Sequence, residues 1–247
     1  MPIEFHKIRG QAELFPVFDA LAAEAESGDS PIVHFECHGL SDRSGLSLAD
    51  PTTVAWMDLT PSLVRINVPA RCNLLFSVAV CYGAHGVASM EQTARAPFWA
   101  IRAPREEITP RELYGPYLRL YSELLSSGDG DRALSTMVEP ASVRSLYGFL
   151  TCEQCFMQAF QLHLTRSTTE VGYRGDVERI RSYFAALGRE VDKSLVRRVL
   201  EGIEEPLFND LFRSFVMADI YPENAQRFPL RFADVAPPRV LEASREQ

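Results

Sequence analysis

No run of Lys or Arg longer than two residues occurs in this chain, and its charge balance is acidic, with a net charge of −8 and a pI near 5.2. A surface of that sign does not neutralise phosphates, so a nucleic-acid partner is not expected. No apolar run approaches the roughly 18 residues that a membrane-spanning helix needs, and no membrane association is expected either. The first residues, MPIEFHKIRG, lack a cationic stretch followed by an apolar one. A secretory leader is therefore not expected, and the expected location is the cytoplasm. Cysteine is sparse, five residues in all. Cys37, Cys72 and Cys81 sit in apolar strand-like contexts, which suits reduced thiols rather than disulfides. Internal repeats and low-complexity linkers are absent as well.

What is present is a hydrophobic content of 46% over 247 residues, enough for a sizeable core. The first 105 residues alternate strand and helix signals. IEFHKI reads as a short alternating strand, and AELFPVFDALAAEAES carries apolar residues at helical spacing. PIVHFEC reads as a strand, LSLAD and TTVAW as a small hairpin, MDLTPSLVRIN as a helix, Asn73 to Val80 as a buried strand, and PFWAIRAP as the next strand. From Thr109 a helix follows, with Thr109 as N-cap, Pro110 at its first position and Gly128 as terminator. From about Ser142 to Ala218 apolar residues recur at three and four, as at Leu150, Phe156, Met157 and Phe160, at Val177, Ile180, Phe184 and Leu187, and at Phe208, Leu211, Phe212 and Phe215. No clear strand is expected there beyond a short turn near Val171. The last segment, from Tyr221, reads as an extended, fraying tail. The expected organisation is an α/β domain over residues 1–140 and a helical extension over 141–247 packed on it.

Two segments carry chemistry. VHFECHGLS delivers His38 followed by Gly39, and LLFSVAVCYGAHG delivers Cys81 with Gly83 beside it. The carboxyl ends of strands in an open α/β sheet form the crevice where ligands sit, so a His and a Cys delivered there are candidates for one site. A cysteine attacks as thiolate, and an imidazole within reach takes its proton. A helix expected from Tyr82 to Met90 adds a dipole that favours the anion. Glycine beside each reactive residue lets a substrate carbonyl approach main-chain N–H groups.

These residues resemble the caspase-like cysteine peptidases, the group that includes bacterial CHAT-type proteases, metacaspases and separase. The resemblance rests on an apolar strand ending in His-Gly (PIVHFECHG), a second ending in Cys-x-Gly (SVAVCYG), and the 43 residues separating His38 from Cys81, close to the roughly 50 of caspases. The Trp-led helix WMDLTPSLVRIN and the strand PFWAIRAP before an amphipathic helix add to it. It spans about residues 30 to 135. It implies a three-layer α/β/α caspase-like sandwich with a mostly parallel sheet, His38 as general base, Cys81 as nucleophile, and the N–H groups of Gly39 and Cys81 as the oxyanion hole. It further implies a cysteine endopeptidase acting on a protein or peptide substrate without metal or cofactor, a regulated bacterial effector in defence or signalling, controlled by a partner or a small signal molecule. The chain departs from the caspase signature two residues before the cysteine, where Ala79 stands in place of Gln, and from metacaspases, which carry Asp there.

Other readings compete with these. Cys81 is alternatively an inert core residue, and the same fold serves as a non-catalytic sensor or scaffold binding a partner at the strand ends. His34 shares a strand face with Glu36 and His38 but lies ~13 Å back along the strand, and is expected to be a structural hydrogen-bonder. Glu36 either orients an imidazole or is solvated. His85, four residues after Cys81, is a second candidate base. Cys37 faces the opposite side and is expected in the core. Cys152 and Cys155 form a lone C-x-x-C with only His163 near enough to suggest a third metal ligand, and the plainer reading is two packed helix residues. The Ser126–Asp131 turn lacks the strand and the Gly-Lys-Ser/Thr ending of a phosphate cradle. Arg102 and Arg105 are candidates to line a pocket for an acidic side chain, and Asp42, Asp50 or Glu36 one for a basic side chain.

Overall fold

Two stretches of the chain have nearly every side chain shielded from water, and they form the middle of its main sheet. In a computed structural model that describes residues 3–28, 30–91, 94–128, 130–136, 146–168, 170–186, 190 and 192–236, these are β5 (Leu75–Val78) and β6 (Ala100–Pro104). The chain divides into two compact units, Met1–Glu91 with Ala96–Thr151, and Gln92–Arg95 with Cys152–Gln247.

In the first unit, β1 (Ile32–Phe35) runs parallel to β5, β5 parallel to β6, and β7 (Tyr147–Thr151) antiparallel to β6. The four strands lie in the order β1-β5-β6-β7. A second, antiparallel sheet is formed by β2 (His38–Gly39), β3 (Gly45–Ser47) and β4 (Thr53–Ala55). Helices follow from the sequence as periodicity predicts: α1 (Gln11–Glu26), α2 (Trp56–Asn67) and α3 (Pro110–Ser127), with the short α4 (Gly130–Ser135) after them. Strand alternation sends Val33, Phe76, Val78, Ile101 and Ala103 into one core with Leu14 and Phe18 of α1 and Leu59, Leu63 and Ile66 of α2. On the opposite face Ala79 packs with Tyr117 and Leu120 of α3, Ala133 of α4 and Tyr147. The sheet is thus covered by helices on both faces, the layering of a mixed α/β sandwich with a mostly parallel sheet.

α3 begins and ends as its sequence dictates. The Thr109 N–H donates to Glu112 Oε2 at 2.9 Å and the Glu112 N–H donates to Thr109 Oγ1 at 3.4 Å, a reciprocal cap, and Gly128 closes the helix at φ 67°, a conformation natural to glycine.

The second unit is helical: α5 (Cys152–Thr168), α6 (Glu170–Ala186), α7 (Lys193–Phe215), α8 (Asn224–Arg227) and α9 (Phe232–Val235). Phe156, Phe160, Phe208, Phe212 and Phe215 form its aromatic core, with ring centroids 5.0–5.9 Å apart. Arg95 holds Asp219 through two bonds of 2.6 and 2.7 Å and donates to Ser214 O at 2.9 Å.

Four expectations need correction. Residues 3–9 join neither sheet, although the Asp50 N–H donates to Arg9 O at 2.9 Å, and Ile3 and Phe5 are 76% and 86% exposed. β7 lies inside the stretch read as helical, and Leu150 belongs to it, paired with Ile101 rather than on a helix face. Val171 lies within α6, not in a turn. The segment from Tyr221, read as an extended tail, instead carries α8 and α9 and buries Asn224, Phe228 and Val235. The expected boundary at 140/141 falls among residues 137–145, outside those described, as do Leu187, the side chain of Phe184, and the last part of the segment, from residue 237. Among the described residues no helix is long and apolar enough to cross a membrane.

Candidate active site

β1 ends at Phe35, and the Ala79 N–H continues its pairing with β5 by donating to Phe35 O at 2.8 Å. His38 is therefore not the last residue of β1 but the first of β2, in the second sheet, because the chain leaves the main sheet at Glu36–Cys37. The two segments singled out in the sequence nevertheless meet. A Cβ placed on Gly39 would overlap the Cys81 carbonyl oxygen, so only glycine allows this approach of main chain to main chain. The Leu40 N–H bond to Gly45 O, 3.0 Å, sets the phase of the β2–β3 ladder and makes Gly39–Leu46 one of its non-bonded pairs. The Gly39 N–H is not used by that ladder, and among the described residues the Cys81 N–H has no hydrogen-bond acceptor. Gly83 is smothered by Val78, Ala103 and Val80, so its role is close packing.

Cys81 is half-buried, and its sulfur is bonded to the main chain of Ile108. The Cys81 thiol donates to Ile108 O at 3.5 Å, and the Ile108 N–H donates to Cys81 Sγ at 3.5 Å. His38 is exposed, and among the described residues its imidazole makes no hydrogen bond, to Cys81 or to any other group. The structure thus brings Gly39 onto Cys81 without joining imidazole and thiol. After Cys81 comes Tyr82 at φ 58°, then a 3₁₀ helix over Gly83–Ser89 in place of the expected α-helix. Cys81 precedes that short element, so the spacing that would set His85 on its helical face does not apply; His85 is half-buried with its N–H donated to Tyr82 O. Arg43 stacks on the Tyr82 ring, 5.2 Å from its centroid, which lays the loop after β2 against the turn that follows Cys81.

Behind this site, on the α3 face, register aligns His34, Ser77 and Arg102 across β1, β5 and β6. Tyr121 O–H donates to Ser77 Oγ at 2.8 Å, and His34 Nδ1 lies 2.9 Å from Ser77 Oγ and 2.8 Å from the Tyr121 oxygen. His34 Nε2 faces Glu36 Oε1 at 3.3 Å. A carboxylate only accepts, so Nε2 carries the ring proton and Nδ1 is the acceptor. Burial lowers the His34 pKa, outweighing the upward pull of Glu36, and burial pushes Tyr121 up to about 12. His34 is thus the hydrogen-bonder expected, and Glu36 its partner. Arg102 is 5% exposed, with its guanidinium 4.8 Å from the Tyr147 ring centroid, so it does not line a surface pocket; Arg105 is exposed. Asp42 and Asp50 are bound within their own turns by Ser44 and Thr52.

The remaining thiols are set by burial. Cys37 packs against the first core and is pushed up to about 12, and Cys155 up to about 11, which keeps both protonated. Cys152 is fully buried. Among the described residues no three His, Cys, Asp or Glu side chains gather as a metal set would. Sequence reasoning missed Ile108 altogether, because a main-chain contact leaves no mark in residue type. It also missed Tyr117 and Tyr121, whose spacing of four on α3 was a usable sign that both face the sheet. Comparison with protein-family models, with curated proteins and with solved structures finds no match.

Proposed function

We propose that this chain is a cytoplasmic cysteine endopeptidase of the caspase-like type, with Cys81 as nucleophile and His38 as general base. The observation that carries this reading is the seating of Gly39 against Cys81, which joins the two motif segments at one point, where among the described residues the Gly39 N–H lies outside the β2–β3 ladder and the Cys81 N–H has no acceptor. Such a pair is the equipment for a tetrahedral oxyanion. Attack of the Cys81 thiolate on a peptide carbonyl forms the acyl-enzyme; the proton taken by His38 passes to the leaving amine, and His38 then activates water to release the acid. The His38 imidazole is exposed, and catalytic hydrogen bonds are often loose or unformed before substrate binds.

A second reading is favoured by one observation. The sulfur is bonded to the Ile108 main chain and, among the described residues, not to an imidazole, which suits a non-catalytic scaffold of the same fold that binds a partner at the strand ends. Labelling with an irreversible thiol-reactive peptidyl probe separates the two. The peptidase reading expects labelling in the wild type, none in Cys81→Ala, and strong loss in His38→Ala. Labelling that persists in Cys81→Ala removes the nucleophile, and labelling indifferent to His38→Ala favours the scaffold.

A further inference from the structure

Residues 105–108, between β6 and the Thr109 cap of α3, form a strap across the turn that carries Cys81. The Tyr82 N–H donates to Glu106 O at 3.1 Å, the Arg105 N–H to Leu146 O at 2.8 Å, and Ile108 bonds the Cys81 sulfur with both its N–H and its C=O. Both ends are fixed. At one end Arg105 follows β6; at the other the Ile108 side chain is buried beside Ala79, Tyr117, Leu120 and Tyr147, and Thr109 caps α3. The Ile108 carbonyl accepts the S–H of Cys81, so the thiol proton is directed at main chain and not at an imidazole. A thiolate has nothing to give that carbonyl and would face its negative end.

We propose that residues 105–108 are a latch that parks Cys81 as a protonated, slow-reacting thiol, and that the site is switched on when the Ile108 carbonyl leaves the sulfur. The inference rests on Cys81 being the nucleophile. On release the S–H bond breaks and an N–H bond forms on His38, leaving thiolate and imidazolium with no other reactant consumed. The Ile108 N–H remains as a donor to the anion, which makes Ile108 a positioning residue rather than a catalytic one.

The test is the rate at which iodoacetamide modifies Cys81 in the folded full chain at neutral pH, read by mass spectrometry of its peptide. Cys37, held protonated by burial, serves as the unreactive internal reference. Wild-type Cys81 is expected to react no faster than glutathione. Ile108→Ala, which removes the strap's buried anchor, and a variant with two glycines inserted between Glu107 and Ile108 are each expected to react about fivefold faster or more, the scale of one lost hydrogen bond. A wild-type rate tenfold above glutathione overturns the latch whether or not the variants fold, as does a folded variant that reacts at the wild-type rate. Adding His38→Ala to each variant separates this inference from the peptidase reading. A faster rate without His38 keeps the latch while removing the base, and an unchanged rate in variants whose peptidyl labelling still needs His38 and Cys81 removes the latch alone.

Discussion

Ser77 has no exposed surface, yet its hydroxyl is shared between the Tyr121 O–H and His34 Nδ1 in the middle of a sheet. Ser77→Ala leaves the hydroxyl of Tyr121 and the ring nitrogen of His34 to satisfy one another, so the loss is expected at about 0.5–1.5 kcal/mol in urea unfolding. His34 gives the same cluster a pH signature. Its folded pKa lies below the unfolded value of about 6.5, so the unfolded chain binds the extra proton first and stability falls as pH drops below about 6.5. The contribution is fully present above that value. His34→Gln is expected to flatten this part of the stability–pH curve, and a curve of unchanged slope in the variant would refute the assignment. Gly39 sets the opposite kind of constraint. Gly39→Ala drives a methyl into the Cys81 carbonyl, a main-chain atom that cannot rotate away, with an expected cost of about 1–3 kcal/mol and loss of Cys81 labelling in whatever folded fraction remains.

At the scale of elements, legibility tracked how local the determining interaction is. α3 was readable end to end, because Thr109, Pro110 and Gly128 act on the helix through contacts three or four residues away. Thr109→Ala is accordingly expected to cost about 1 kcal/mol through the lost cap, seen as a lower melting temperature. β7 was not readable. YGFLT is five residues long, followed at once by Cys152 at the start of α5, and a short apolar run has no period that separates strand from helix; its pairing with β6 is decided by residues 43 or more positions away. The stretch at residues 3–9 failed the other way, alternating like a strand while joining neither sheet. The candidate site shows the same division. Gly39 and Cys81 were legible as a pair because each follows an apolar strand that enters the same sheet region, whereas the hold of Ile108 on the sulfur is made by main chain and is silent in the sequence. The break between β1 and β2 likewise depends on where the chain leaves the sheet, which no side chain announces.

At the scale of the molecule, two compact units each carry a core of their own, the first aliphatic and aromatic around β5, the second built on five phenylalanines. Both tryptophans, Trp56 and Trp99, lie in the first unit, so intrinsic fluorescence reports on that unit, while much of the helical signal in the far ultraviolet comes from α5, α6 and α7. Phe208 is fully buried against Phe156, Phe160 and Phe212. Its replacement by Ala removes about 3–5 kcal/mol from the second core. Units with separate cores need not unfold in one step. In denaturant, Phe208→Ala is therefore expected to bring the loss of helical signal to a lower midpoint while the fluorescence midpoint stays at the wild-type value. Coincident shifts of both signals would show instead that the phenylalanine core and the sheet bearing Cys81 unfold as one cooperative body, and the site would then share in any change made to the helical unit.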